Sequence, residues 1–216
     1  MKLSEKLFGN WDIAVRRSLF MPVNRSVPDV AEKRKNWNGL ISGFKASDLV
    51  FLDESGCNTD MTRRYAYSLG GSRAVDSAPL SKPENTTILS SIQLDGTLRY
   101  TTFLGGSTVE RFKRYLETDL LPHLNGNSVL VMDNMNSHHA KAVKELLDSS
   151  GVRYIYLPPY SPDLNSIEKL WPKVKAFLRK FKARTLDTLP NAIQNAFLNV
   201  SPSNCSGWFR SCGYAL

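Results

Sequence analysis

The stretch from Ser128 to Lys182 limits the fold more than any other. It reads SVLVMDN, a helical span, RYIYLPPYSPDLNS and then IEKLWPKVKAFLRKFK. Val129, Leu130, Val131 and Met132 form the short apolar run of a strand buried on both faces, and Asp133 closes it where Asn134 and Asn136 signal a turn. That carboxylate is expected at a sheet rim. Glu168 follows after 34 intervening residues, in the first turn of a helix delivered by the Pro-rich loop LPPYSPDLNS.

The helix is supported by its period. Ile167, Leu170, Trp171, Val174, Phe177, Leu178 and Phe181 recur at steps of three and four, one apolar stripe that must lie on a core. Glu168 is about 100° of arc from Ile167, at the border of the stripe, where it faces the end of a neighbouring strand. Seven Lys or Arg and one acid lie between Asn165 and Arg184, so most of the chain's net charge of +8 gathers beside this carboxylate.

Asp48–Asp53 repeats the same grammar: DLVFLD, an apolar run ending in a carboxylate. Before it, residues 1–45 are basic and mixed, with one helix expected from Asp29 as cap through Val30, Trp37, Leu40 and Ile41. After it come TTILSSIQL and TLRYTTFL around Asp95-Gly96, a hairpin signal. Ser107 with Glu110 reads as a capping box opening a helix with Val109, Phe112, Leu116 and Leu120 inward. A helix ending at Gly151, a strand RYIYL, the basic helix and a last helix from about Thr185 follow. The order predicts an α/β domain with a mixed five-stranded sheet flanked by helices, its ligand site beyond the carboxyl ends of the strands, where two of the three acids end strands.

Composition narrows the classes. At 216 residues, 42% apolar and 22% charged, the chain has room for one sizeable core and no mark of disorder or fibre. The positive balance favours a polyanionic partner, although alone it is a weak signal. Cys57, Cys205 and Cys212 are odd in number and lack a C-x-x-C spacing, so neither a disulfide framework nor a zinc site is indicated and a reducing cytosol fits. Glu5, Asp12, Arg16 and Arg17 interrupt the first twenty residues, and no stretch approaches the roughly 18 apolar residues of a membrane span, so neither signal peptide nor anchor is expected.

Convergence of Asp53, Asp133 and Glu168 would make chemistry. Two like charges about 4 Å apart repel by roughly 4 kcal/mol at an effective dielectric of 20. Protons or a divalent cation must cancel that repulsion, and an all-oxygen set suits Mg2+ or Mn2+. Such ions serve in-line displacement at phosphorus, while Lys169, Lys173, Lys175, Arg179 and Lys182 would hold a nucleic-acid backbone. Each part also has a plainer explanation: a strand-end Asp as turn former, Glu168 as a favourable helix-start charge, the basic stripe as a solvated face. His138 and His139, with no third ligand in view, are expected to cap or line the next helix. Arg63 and Arg64 are candidates to grip phosphate, or an exposed loop pair.

At these residues the chain resembles transposases of the Tc/mariner superfamily, in their bacterial insertion-sequence branch. The matching blocks are FLDESG, VLVMDNMNSHH and LPPYSPDLNSIEKLW, with PDVAEKRKNW, MTRRYAYSLGGSR and FRSCGYAL around them, about residues 27 to 216. The resemblance implies an RNase H-like DDE catalytic domain, a magnesium-dependent triad of Asp53, Asp133 and Glu168, cleavage of DNA at element ends and joining of the 3′-hydroxyl into a TA dinucleotide. Ser166 stands where the family usually has Pro, and Pro172 is expected to bend the helix. Family members carry helix-turn-helix modules ahead of this domain, which 45 residues cannot hold in pairs. The division expected is therefore an arm at 1–45, the catalytic domain at 46–202 and an aromatic tail at 203–216. Expected partners are DNA, a separate helix-turn-helix half and a second copy of the chain as a homodimer, in the bacterial cytoplasm with no membrane. The competing reading is an inactive or domesticated remnant that only binds DNA; a third is a structure-selective nuclease.

Overall fold

Strand β1 (Leu49–Cys57) lies at the centre of a five-stranded sheet ordered β3-β2-β1-β4-β5. The computed structural model describes residues 27–63, 65–79 and 83–214. β2 (Thr86–Ile92) and β3 (Leu98–Leu104) form an antiparallel hairpin on one side of β1, and β4 (Val129–Met132) and β5 (Arg153–Tyr156) run parallel to it on the other. The hairpin turns at Asp95-Gly96 as its sequence requires. Gly96 adopts φ +92°, and a Cβ there would meet Pro202 at 2.9 Å, so both the turn and its packing call for glycine.

The helices divide between the two faces. α2 (Val109–Tyr115), the turns that continue it to His123, and α3 (Lys141–Ser150) cover one face, where Val50, Leu52, Leu130 and Met132 meet Phe112, Tyr115, Leu116, Val143 and Leu147. α1 (Pro28–Ile41), α4 (Leu170–Phe181), α5 (Leu189–Leu198) and α6 (Pro202–Ser211) serve the other. There Leu49, Phe51, Val129 and Val131 meet Trp37, Leu170, Trp171, Val174, Ile193 and Phe209. Alternation along a strand fixes this division, and continuing it sends both Asp53 and Asp133 to the α4 face and Glu54 to the α2 face.

From α1 to α5 the expected order of elements is the order found, and the mixed sheet with flanking helices matches the α/β prediction. Several local expectations give way. Asp53 does not end its strand: β1 runs four residues further, because Glu54–Cys57 pair antiparallel with β2 although they are not apolar. Asp133 does follow the last residue of β4. Asp29 lies inside α1 rather than capping it; Val27 is the cap residue and Pro28 the first helical position. The side chain capping α2 is Thr108, which accepts from the Arg111 N–H, while the Ser107 hydroxyl donates to Glu54. α5 begins at Leu189 rather than Thr185, and Leu186 is exposed. Pro172 falls in the first turn of α4, where its missing N–H would have lacked an intrahelical acceptor, and the helix continues to Phe181.

The segment expected to be an aromatic tail is a core helix. Ser201 and Asn204 form a reciprocal capping box at the start of α6. Phe209 and Tyr214 then pack on Phe51, with ring centroids 5.1 and 5.0 Å away. Of the arm expected at 1–45, residues 1–26 lie outside the described residues; the rest forms α1 and the turns that lead into β1.

Candidate active site

The parallel register of β1 and β4 brings the two aspartates level. Phe51 is paired with Val131, and two steps beyond on each strand come Asp53 and Asp133. Glu168 arrives from a 3-10 turn, Ser166–Lys169, that leads into α4, with Ile167 buried beneath it. Asp133 and Glu168 line one cleft of about 400 Å³ with Asn134, Met135, Asn165 and the 157–162 segment. Tyr160 in that segment has φ 56°, a left-handed backbone uncommon for a bulky residue.

The loop that delivers Glu168 is held from α1. Arg34 grips Asp163 with two guanidinium nitrogens, at 3.2 and 2.8 Å, and also donates to the Ser161 hydroxyl. This two-pronged geometry is the most orienting an ion pair offers. Nothing in the sequence singled out Arg34, since its partner lies more than 120 residues away.

The three acids differ in their surroundings. Asp53 is 7% exposed, and the Trp171 indole N–H donates to its Oδ2 at 3.0 Å. Burial pushes Asp53 up to about 7; the Trp171 hydrogen bond pulls the other way, and the charges of Glu168 and Asp133 add to the rise. Glu168 is also raised, by burial and then by the charge of Asp133, against Lys175 and Lys169. For Asp133 burial is outweighed by the hydrogen bond and charge of His138, helped by the Met135 N–H and His139, and its pKa falls below the ordinary value. Asp53 thus feels both of the other acids, and Glu168 feels Asp133. As placed, however, no group of three His, Cys, Asp or Glu among the described residues is close enough to hold one ion.

His138 is fully buried, with Nδ1 2.8 Å from Asp133 Oδ1 and Nε2 3.6 Å from Glu54 Oε1. The second separation is that of an ion pair, too long for a good hydrogen bond. Burial works against the protonated ring, but the two carboxylates push His138 up to about 9. His139 stacks on Tyr156 at 4.1 Å. Expected to cap or line the next helix, the two histidines precede α3 without capping it, and His138 instead makes a specific contact with Asp133 that the sequence did not reveal.

The predicted basic stripe is divided by the fold. Arg63, Lys175 and Arg179 line one polar cleft of about 470 Å³ with Asn58, Asp60 and Thr62. Lys175 also lies near enough to Glu168 to lower its pKa, which connects this cleft to the acids. Lys169 acts on Glu168 directly. By contrast, Lys173 is engaged by Asn204, and Lys182 pairs with Asp76 at 2.6 Å. Arg64 lies outside the described residues. Arg184, absent from the expected set, ties down the segment after β1 through Thr59, Met61, Thr62 and Ser77.

A family model for the DDE superfamily endonuclease matches residues 48–190, about two thirds of the chain and the span that carries all three acids. The chain belongs to the DDE superfamily of endonucleases. Solved structures share its fold. It is similar to the Mos1 transposase paired-end complex with left transposon end, with TM-score 0.77, 16% identity, and 92% of this chain covering 63% of that one. It is similar to the Mos1 mariner paired-end complex with Mn, with TM-score 0.73, 16% identity and coverage of 93% and 64%. For the catalytic domain of Mos1 mariner transposase the TM-score is 0.61 at 14% identity, with 91% of each chain covered. The chain thus spans less than two thirds of the longer transposase chains. No curated protein sequence matches it.

The family implies use of a divalent metal, and the donor chemistry of this DDE endonuclease fits one. Its three acids offer oxygen donors alone, which suits a hard cation. Two of them, Asp53 and Glu168, are raised by burial and by neighbouring carboxylate charge, a strain that a bound cation relieves.

Proposed function

We propose that this chain is the catalytic part of a DNA transposase, cutting DNA at element ends and joining the 3′-hydroxyl to target DNA by phosphoryl transfer. The observation that carries this reading is geometric: the strand register sets Asp53 level with Asp133, and Glu168 lines the same cleft as Asp133, at one corner of a DDE-family sheet. In it, Asp53, Asp133 and Glu168 are the catalytic and metal-holding residues. Bound Mg2+ or Mn2+ would lower the pKa of the attacking water or sugar hydroxyl and neutralise charge growing on the phosphate.

The chain's own side chains then hold the substrate. Arg63, Lys175 and Arg179 take backbone phosphates in the cleft they line, with Lys169 also acting near Glu168 and Arg64, next to Arg63 in the sequence, assigned the same role. Lys173 and Lys182 are engaged within the fold, and their contribution is smaller. The finer expectations belong to the same proposal: the bacterial insertion-sequence branch, a TA target, a separate helix-turn-helix half, a homodimer and a bacterial cytoplasmic setting. Among the described residues no helix is long and apolar enough to cross a membrane.

One observation favours the competing reading, a remnant that only binds DNA: no three acids stand ready around one ion as placed. Incubating DNA that carries the element ends with the protein and Mg2+ or Mn2+ separates the two. Nicking is expected, reduced on the order of 10³-fold by Asp133→Ala, since removing a group that stabilises the transition state has effects of that scale. Equal nicking by the variant would reject the proposal.

A further inference from the structure

Glu54 follows Asp53 in the chain but faces the other side of the sheet, the side covered by α2 and α3. A carboxylate there is unexpected. Its side chain is 7% exposed, and its Oε2 has no partner among the described residues. Oε1 accepts from the Ser107 hydroxyl at 2.6 Å and faces His138 Nε2 at 3.6 Å. A buried carboxylate is strongly unfavourable unless its charge is answered nearby. Packing alone gives no reason for an acid at this position, whereas the His138 ring between two carboxylates does.

His138 in turn has little freedom. Its ring stacks on Phe112 with centroids 4.2 Å apart, and its Nδ1 reaches Asp133 Oδ1 at 2.8 Å. The Met135 N–H donates to the same oxygen at 3.0 Å. Both donors converge on Oδ1, so among the described residues Oδ2 is the oxygen left to turn toward the cleft that Asp133 shares with Glu168.

We propose that Glu54 and His138 are positioning residues for Asp133: Ser107 and Glu54 set the His138 ring, and the ring holds Asp133 Oδ1 so that Oδ2 is presented to a divalent ion. The inference rests on the metal-dependent reading above and adds to it the source of the ligand's orientation. Outer partners of this kind typically change metal affinity about 10- to 100-fold when lost. Glu54 acts through His138, and neither residue touches the reacting atoms.

Two measurements on the full chain test this. In metal-free protein, the His138 Nδ1–H should give a slowly exchanging NMR resonance that disappears in Asp133→Ala; its absence from the wild-type protein would overturn the arrangement whatever the metal does. Mn2+ binding is then followed by the loss of the free-ion EPR signal. His138→Ala should weaken binding about 10- to 100-fold. His138→Asn, whose amide N–H can replace Nδ1–H, should recover most of the affinity, and Glu54→Gln should lie between. Leu147→Ala removes apolar volume from the same side of the sheet and should leave Mn2+ affinity of the folded protein unchanged. Wild-type affinity in His138→Ala, or an Asn variant as weak as the Ala variant, would overturn the positioning role. Wild-type protein that shows the resonance but binds no Mn2+ would overturn the metal-dependent reading and the positioning role together, which separates that failure from an absent His138–Asp133 contact.

Discussion

Asp53 and Asp133 occupy equivalent levels of neighbouring parallel strands and face the same side of the sheet, yet their surroundings drive them apart. Asp53 is enclosed within a strand, with one indole donor, and burial raises it to about 7. Asp133 stands just past a strand end with His138 behind it, and its pKa is lowered. Asp133 is held in its charged form; Asp53 keeps its proton to higher pH, and in the proposed site an arriving cation would displace it. If the two hold one ion as proposed, they are not prepared in the same way: the pre-ionised acid would give the ion a first contact, and the desolvated one would gain most from its arrival.

The pH dependences have opposite signs. For Asp53, whose folded pKa is raised, the contribution to stability is fully present below the unfolded value near 3.8 and is lost as pH rises through about 7. For Asp133, whose folded pKa is lowered, it is present above the unfolded value and lost as pH falls through the folded one. His138 adds a contribution present below its ordinary value of 6.5 and lost as pH rises through about 9.

The largest effect expected is one that leaves this contrast alone. Phe209→Ala opens a cavity against Phe51 beneath both strands and should lower unfolding free energy by about 3–5 kcal/mol. Denaturant melts should show a similar loss at pH 5 and pH 8; a loss confined to one pH would mean that the scaffold and the acids are not separable.

Substituting the two aspartates should then have opposite effects. At pH 8 without divalent ions, Asp133→Asn should destabilise by about 1–3 kcal/mol, because His138 loses its charged partner. Asp53→Asn should stabilise, also by about 1–3 kcal/mol, because a neutral amide can accept from Trp171 without the desolvation that ionisation brings. The same sign for both would break the comparison.

A smaller difference lies in the pH profile itself. Wild-type protein without divalent ions should lose about 1–2 kcal/mol between about pH 5.5 and 7 relative to Asp53→Asn, a profile that denaturant melts across that range would record. Parallel profiles would place the proton elsewhere. The smallest effect expected is that of Trp171→Phe, which keeps the buried ring but removes the donor. The loss of about 1 kcal/mol of hydrogen bonding to the ionised acid should push the Asp53 carboxyl above about 7 in an NMR titration, and an unchanged midpoint would show that the indole does not matter to it.

Much of this site was legible in the sequence because its parts are local. An apolar run ending in Asp133, and a stripe that orients a helix behind Glu168, depend on neighbours within a few residues. The end of β1 was not legible: Glu54, Ser55 and Gly56 carry no strand periodicity, and their strand exists because β2 pairs with them. α6 was hidden by its Ser, Asn and Gly content, although Ser201-Pro202 with Asn204 was a usable start signal. The contacts that distinguish the acids, Trp171 with Asp53 across 118 positions and Glu54 with His138 across the sheet edge, arise only when the chain is folded. Charge counting likewise could not tell that Lys173 and Lys182 are occupied while Lys175 remains beside the acids.

The most direct test of the shared-ion claim is an anomalous difference map from crystals of the protein soaked in Mn2+. A peak within ligating distance of Asp53 and Asp133 carboxylate oxygens, with Glu168 on the same or an adjoining ion, is the result expected. A map with no peak between Asp53 and Asp133, from crystals in which both side chains are ordered and the ion is abundant, would contradict it.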